Sequence, residues 1–347
     1  MATGAPLSLI DLARRTDPDG DTADVAELLS QANEIYDDIV WKEGNTNTGH
    51  VYTVRTSIPS GWWRYINQGI PAAHSTTAQG RINCGQLEGL SPIDRKILEM
   101  SDDENKFRYD EDNAFLEGMS QTIAGQFIYG NAVLNPVSFT GFEAFYNTVN
   151  PAVADNAANV FDGGGVGGNN SSMLIMGWGT KSIYGVFPKG SKAGLRLEAQ
   201  NTPFAYDSAG NPYRAAITWF RQEAGLCVED WRYGVRCANL DVTSAGLGGT
   251  NPYDIFAHLS QMILRLPKLT RTTSGVTETD AKSEMGTSVR PGIYVNRTVR
   301  GFMDIQAIRD KNVLISSKDY AGQPVTSYRE LPIRVVDQIK NTESRVV

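Results

Sequence analysis

Residues 49–89 read GHVYTVRTSIPSGWWRYINQGIPAAHSTTAQGRINCGQLEG. The stretch opens with alternation: Val51, Thr53, Arg55 and Ser57 fall on one side, and Tyr52, Val54, Thr56 and Ile58 on the other. That two-residue period is a strand. Glycine and proline then bracket an aromatic cluster, Gly61–Pro71, in which Trp62, Trp63, Tyr65 and Ile66 stand almost side by side. A return strand is expected over Thr76–Leu87, and few residues of Ala72–Gly89 suit a hydrophobic core. Two arms of about 15–20 residues, at about 3.3 Å each, reach about 50–65 Å. A two-stranded ribbon of that length is marginal alone and has to lie on something else. Each large ring carries about 150–250 Å², and together they exceed what a soluble monomer usually leaves in water. Burying both tryptophans at about 25 cal/mol per Å² contributes up to several kcal/mol. The surface that buries them is either the chain's own core or a neighbouring subunit.

Outward from this ribbon the chain reads as α+β. On the N-terminal side, Val25, Leu28, Leu29, Ala32, Ile35, Tyr36 and Ile39 recur at helical spacing, predicting a helix over Asp21–Val40 behind an extended Pro/Asp/Gly-rich arm. On the C-terminal side, PIDRKILEM (Pro92–Met100) predicts a short helix. Phe115, Met119, Ile123 and Phe127 at strict four-residue intervals predict a long one over Asp110–Tyr129. Asp110, Glu111 and Asp112 would load its first turn, where the helix dipole favours negative charge. Strands follow: SSMLIMGW, SIYGVFPKG, a hairpin in TPFAYDSAGNPYRAAITWF, then Leu226–Trp231 and Tyr233–Val242. PYDIFAHLSQMILRLP and RTVRGFMDIQAIRDK predict helices, and GIYVN, VLISS and LPIRVVDQI predict strands.

The bulk numbers narrow the function. The 347 residues carry a net charge of −7 and are 41% hydrophobic, as in ordinary soluble proteins. No basic run exceeds Arg14–Arg15, which argues against tight, salt-dependent nucleic-acid binding. Nothing approaches 18 apolar residues in a row, so no membrane span is expected, and the first residues lack the pattern of a secretory signal. Cys84, Cys227 and Cys237 form no CxxC pair and suit free, buried thiols. His50, His74 and His258 lie in unrelated segments without metal-ligand spacing. The glycine run Gly163–Gly168 lacks the lysine of a phosphate loop, and no GxSxG is present. Acidic clusters at Asp37–Asp38, Asp102–Glu104 and Asp110–Asp112 sit at helix ends, where capping explains them. No catalytic residue, cofactor or metal site is expected.

Taken in order, LIDLARRTDPDG, VAELLSQANEIYDDIVWKEGN, GHVYTVRTSIPSGWWRYINQGIPAAHSTTAQ, NAFLEGMSQTIAGQFIYGN, GVFPKGSKAGL, EAGLCVEDWRYGVRCANLDV, IYVNRTVRGFM and NTESRVV resemble the major capsid proteins of short-tailed bacteriophages. The resemblance implies the Hong Kong phage capsid fold, shared with herpesvirus shell proteins and encapsulins. It assigns residues 1–45 to an N-terminal arm, 46–95 to an extended β-hairpin loop, 96–250 to a peripheral domain with the spine helix 110–129, and 251–347 to an axial domain. Strand-rich material follows the spine helix and axial-like units come last, which reads as a rearranged segment order. The implied function is a self-assembling icosahedral shell of hexamers and pentamers around packaged double-stranded DNA, held by weak non-specific contact. The implied partners are a portal at one vertex, with a decoration or cement protein and a separate scaffolding protein; assembly is in the host cytoplasm, with no membrane. The expected subunit interface is Trp62, Trp63, Arg64, Tyr65 and Ile66 with Arg55 and Arg81. No lysine occurs from Gly44 to Asp94, so a lysine crosslink from the loop is not expected. Two other readings stay open: an encapsulin-like compartment, and a monomeric carbohydrate-binding or hydrolytic β-protein that stacks sugars on Trp62, Trp63 and Tyr65.

Overall fold

The computed structural model describes residues 30–101, 103–200, 203–207, 209–243, 253–267, 289–309, 315–320, 323–329 and 331–347. After one helical turn, Ile35–Asp38, come a short strand β1 (Trp41–Glu43) and the two hairpin strands β2 (Gly49–Arg55) and β3 (Thr77–Asn83). β4 (Gly85–Asp94) leads through the helix Arg95–Met100 into the long helix Glu104–Tyr129. Then follow β5 (Val160–Asp162), β6 (Asn170–Trp178), β7 (Ile183–Phe187), β8 (Arg196–Gln200), β9 (Phe204–Tyr206), β10 (Pro212–Val228) and β11 (Gly234–Asp241). The last part holds the helix Ile255–Arg265, β12 (Arg290–Val295), the helix Arg297–Arg309, β13 (Ile315–Tyr320), β14 (Gln323–Tyr328) and β15 (Leu331–Val335). Among the described residues, all strands but two join one sheet, and β2 and β3 pair only with each other.

The centre of the sheet is buried on both faces. Every residue of β6 is buried, which is why SSMLIMGW reads as a continuous apolar run rather than an alternating one. Leu174, Met176 and Trp178 face a core shared with Ile123 and Phe127 of the long helix and with Ile35 and Ile39. Met173 and Ile175 point the other way, to Phe256, Leu259 and Met262 of one late helix and Val299 and Met303 of the other. β12 runs antiparallel to β6 from Arg290↔Trp178 to Tyr294↔Leu174, so the expected divide at residue 250 falls between strands that are neighbours in one sheet. β10 spans the molecule: Ala215–Ala224 pairs with β4 and Gly225–Val228 with β7. The long helix covers the β4–β10 end, where Phe115 stacks on Phe220 with ring centroids 5.4 Å apart.

Several predicted boundaries move. The long helix begins at Glu104, not Asp110, because the Asp103 side chain caps it, accepting from the amides of Asn105 (2.9 Å) and Lys106 (3.1 Å). Asp112 therefore lies inside the helix and accepts from the Thr218 hydroxyl at 3.1 Å. Pro92–Asp94 finishes β4 rather than starting a helix, and Asp94 caps Arg95–Met100 through the Lys96 amide. The return strand expected over Thr76–Leu87 breaks at Cys84, because from Gly85 onward the chain pairs with β10 instead of β2. Of the helix predicted over Asp21–Val40, residues 21–29 lie outside the described residues, and only Ile35–Asp38 of the rest is helical. Asn33 instead bridges to Val336, and Ala32 exchanges hydrogen bonds with Asp337. This long-range pairing overrides the local period.

Candidate subunit interface

The hairpin is firmly held at its root. The Asn45 side chain embraces Val51, donating to its carbonyl at 2.7 Å and accepting from its amide at 2.8 Å. The Cys84 amide donates to the Thr48 carbonyl at 3.0 Å. Gly49 approaches β3 so closely that a Cβ there would lie 2.0 Å from the Ile82 carbonyl oxygen. Further out, Tyr52 lies over its cross-strand partner Gly80, where a Cβ would come within 2.4 Å of the ring. Seven residues per arm form the ladder, about 23 Å of ribbon. Beyond it, Thr56 and Ser57 meet Thr76 through backbone and hydroxyl hydrogen bonds. From there the two arms form no ladder.

The tip is closed by a local turn rather than by a sheet. Asn67 has φ +68°, a left-handed conformation that asparagine tolerates. Around it the Gln68 amide donates to the Tyr65 carbonyl (3.2 Å), and the Arg64 guanidinium to the Gln68 carbonyl (3.1 Å). The turn presents its apolar side chains to solvent. Trp62 is 61% exposed, Tyr65 84% and Ile66 91%, and Trp63 is fully exposed. Ile58 and Ile70, which the sequence reading did not select, are exposed on the same segment. Their signal was present: both sit in a hairpin with no core of its own, one on each side of the aromatic cluster.

The seven residues expected at the interface fall into three places. Trp62, Trp63, Arg64, Tyr65 and Ile66 gather at the tip, and Arg55 sits at the outer end of β2 opposite Thr77. Arg81 belongs to the root, paired in register with Val51 and donating to the Thr48 hydroxyl at 3.1 Å. Residues 56–80 thus carry Arg64 as their one arginine and no acidic side chain.

Elsewhere, burial disarms the reactive side chains. It pushes the Cys84 thiol up to about 11, with Glu223 adding to the shift. Burial likewise raises the Cys227 and Cys237 thiols to about 12. All three cysteines are free and stay protonated at neutral pH, which suits neither a nucleophile nor a metal ligand. Among the described residues no group of three His, Cys, Asp or Glu side chains is placed to hold a metal, and no helix is long and apolar enough to cross a membrane.

Comparison with known proteins places this architecture. No curated protein sequence matches the chain. A chain in the structure of bacteriophage Epsilon15 is 26% identical and superposes with a TM-score of 0.72, covering 100% of this chain and 99% of that one. The bacteriophage JBD30 capsid is 11% identical, with a TM-score of 0.48 over 90% of this chain and 93% of that one. The holo-SrpI encapsulin of Synechococcus elongatus PCC 7942 is 11% identical, with a TM-score of 0.41 over 68% and 98%. The family model described as "Major capsid protein GP7" matches residues 17–347. With nearly its whole length inside that match, the chain belongs to the major capsid protein GP7 family and forms capsid shell.

Proposed function

We propose that the hairpin tip is the contact through which one copy of this chain holds the next in the capsid lattice. One observation carries this reading: an apolar cluster of two tryptophans, a tyrosine and an isoleucine stands exposed at the end of a ribbon whose root is fixed. Exposed apolar surface of that size marks an interaction site. Trp62, Trp63, Tyr65 and Ile66 supply the buried area, Arg64 the polar contact at the tip, and Arg55 and Arg81 contacts along the ribbon. Many such modest contacts become cooperative when the shell closes.

In the same reading the long helix with β4 and β8–β10 forms the peripheral part of the subunit. The two late helices, with β6, β11, β12 and β15, form the axial part. The subunits build hexamers and pentamers of an icosahedral shell around double-stranded DNA, assembled in the host cytoplasm. The net charge of −7 suits a container that holds its DNA by weak contact. A portal at one vertex, a separate scaffolding chain and a cement protein are the further partners. Without a lysine between Gly44 and Asp94 the ribbon forms no lysine crosslink, and the shell is held non-covalently.

The test is tryptophan accessibility before and after assembly. Oxidative footprinting with mass spectrometry should show Trp62 and Trp63 modified readily in the free subunit and protected in shells. Equal modification in both states would exclude the tip as the contact.

A further inference from the structure

At the point where the hairpin leaves the sheet, an imidazole is packed with its Nδ1 unpaired. His50 is the second residue of β2, opposite Ile82 of β3, and is only 7% exposed. Its Nδ1 is buried with no hydrogen-bond partner. The ring meets Tyr184 of β7 edge-on, with centroids 5.9 Å apart and planes at 78°. Tyr184 in turn has the Lys42 ammonium of β1 at 4.6 Å from its ring centre and donates its hydroxyl to Glu229, just beyond β10, at 2.9 Å. The site thus joins the hairpin to three parts of the main sheet.

We propose that His50 is a pH-sensitive latch: the neutral imidazole packs the hairpin root onto the sheet, and the protonated imidazole releases it, freeing the ribbon to swing. The other titratable groups facing the site are Lys42 on β1, Tyr52 on β2, Tyr184 on β7, Cys227 on β10 and Glu229 after it. Burial raises both tyrosines and the cysteine above their ordinary values, so they stay neutral throughout the range in which an imidazole titrates. Lys42 and Glu229 are the charged neighbours. Burial is the largest influence on His50 and lowers its pKa; Lys42 lowers it further and Glu229 opposes both.

The sign follows from linkage. A histidine whose folded value lies below its unfolded one binds protons better when the root is open. The closed root is fully stable above about pH 6.5 and loses stability as pH falls below that value and through the lowered folded one. The remaining root ties, Asn45 to Val51 and Arg81 to Thr48, involve no group that titrates there. The latch does not depend on where the tip docks.

Amide hydrogen exchange of the unassembled full chain tests it, with protection normalised for the intrinsic rate at pH 7.5 and pH 5.5. Protection of Gly49–Arg55 and Thr77–Asn83 should fall by up to about tenfold from pH 7.5 to pH 5.5, the ceiling set by an unfolded value of about 6.5. His50→Gln should remove this fall. His258→Gln should keep it: His258 is stacked on Tyr253 on the far core and is likewise lowered by burial. Unchanged protection in the wild type, or an equal fall in His50→Gln, would overturn the latch. Should His50→Gln not fold, NMR titration of the wild-type imidazole decides: a midpoint clearly below 6.5 supports the latch, and one at or above 6.5 overturns it.

Discussion

Strand β6 and the hairpin tip are equally apolar and meet opposite fates. In β6, Met173, Leu174, Ile175, Met176 and Trp178 are all fully covered; at the tip, Ile58, Trp62, Trp63, Tyr65, Ile66 and Ile70 all face solvent. Side-chain hydrophobicity does not separate them. β6 has hydrogen-bonded neighbours in β11 and β12 and helices or loops over both faces. The tip has a single four-residue turn and proline or glycine on each side, and among the described residues nothing stacks upon it. The sheet is completed within one subunit, and the tip is left exposed, which is the basis for proposing that a second subunit covers it.

That contrast can be broken or sharpened by substitution. The largest effects belong to the body. Arg236 is 1% exposed and binds Glu343 (2.9 Å), Glu143 (3.0 Å), the Tyr146 carbonyl (3.0 Å) and the Ser172 hydroxyl (3.1 Å). Arg236→Ala leaves Glu343 buried without its cation and should cost about 3–5 kcal/mol in denaturant unfolding of the free subunit. Trp178→Ala should cost a similar amount, about 3–5 kcal/mol, because Trp178 is fully buried and donates to the Tyr294 hydroxyl at 2.7 Å.

Smaller effects follow away from the core. Asp38 accepts from Tyr294 (2.7 Å) and from Arg334 through two contacts of 3.2 Å, fixing the segment that leads to β1. Asp38→Ala should cost about 1–3 kcal/mol in the same measurement. Asp103→Ala removes the cap of the long helix and should cost about 1 kcal/mol. Trp62→Ala with Trp63→Ala should change the unfolding free energy of the unassembled subunit by less than about 0.5 kcal/mol. A loss of several kcal/mol there would mean that the tip packs within its own chain, and the contrast would fail.

Local patterns carried much of this architecture in the sequence. The four-residue spacing from Phe115 to Phe127 located the long helix, the alternation of Val51–Ile58 located the first hairpin strand, and the Gly/Pro brackets isolated the aromatic tip. Contacts between distant segments were not legible. Asn33 pairs with Val336 across the chain, which no periodicity near residue 33 announces. The start of the long helix was misread because Asp110–Asp112 look like a first turn, while the cap is Asp103. The root around His50 joins residues from β1, β2, β7 and β10 that are far apart in sequence; only their folding together made it visible. Where along the ribbon Arg81 lies was not legible either; the strand register pairs it with Val51 at the root.

The most direct test is assembly itself. Wild-type subunit and the Trp62→Ala, Trp63→Ala double variant, matched for thermal stability, would be followed by size-exclusion chromatography and negative-stain electron microscopy under identical assembly conditions. The account predicts closed shells or capsomers from the wild type and folded but unassembled subunits from the variant. Shells formed by the variant at wild-type yield would contradict it.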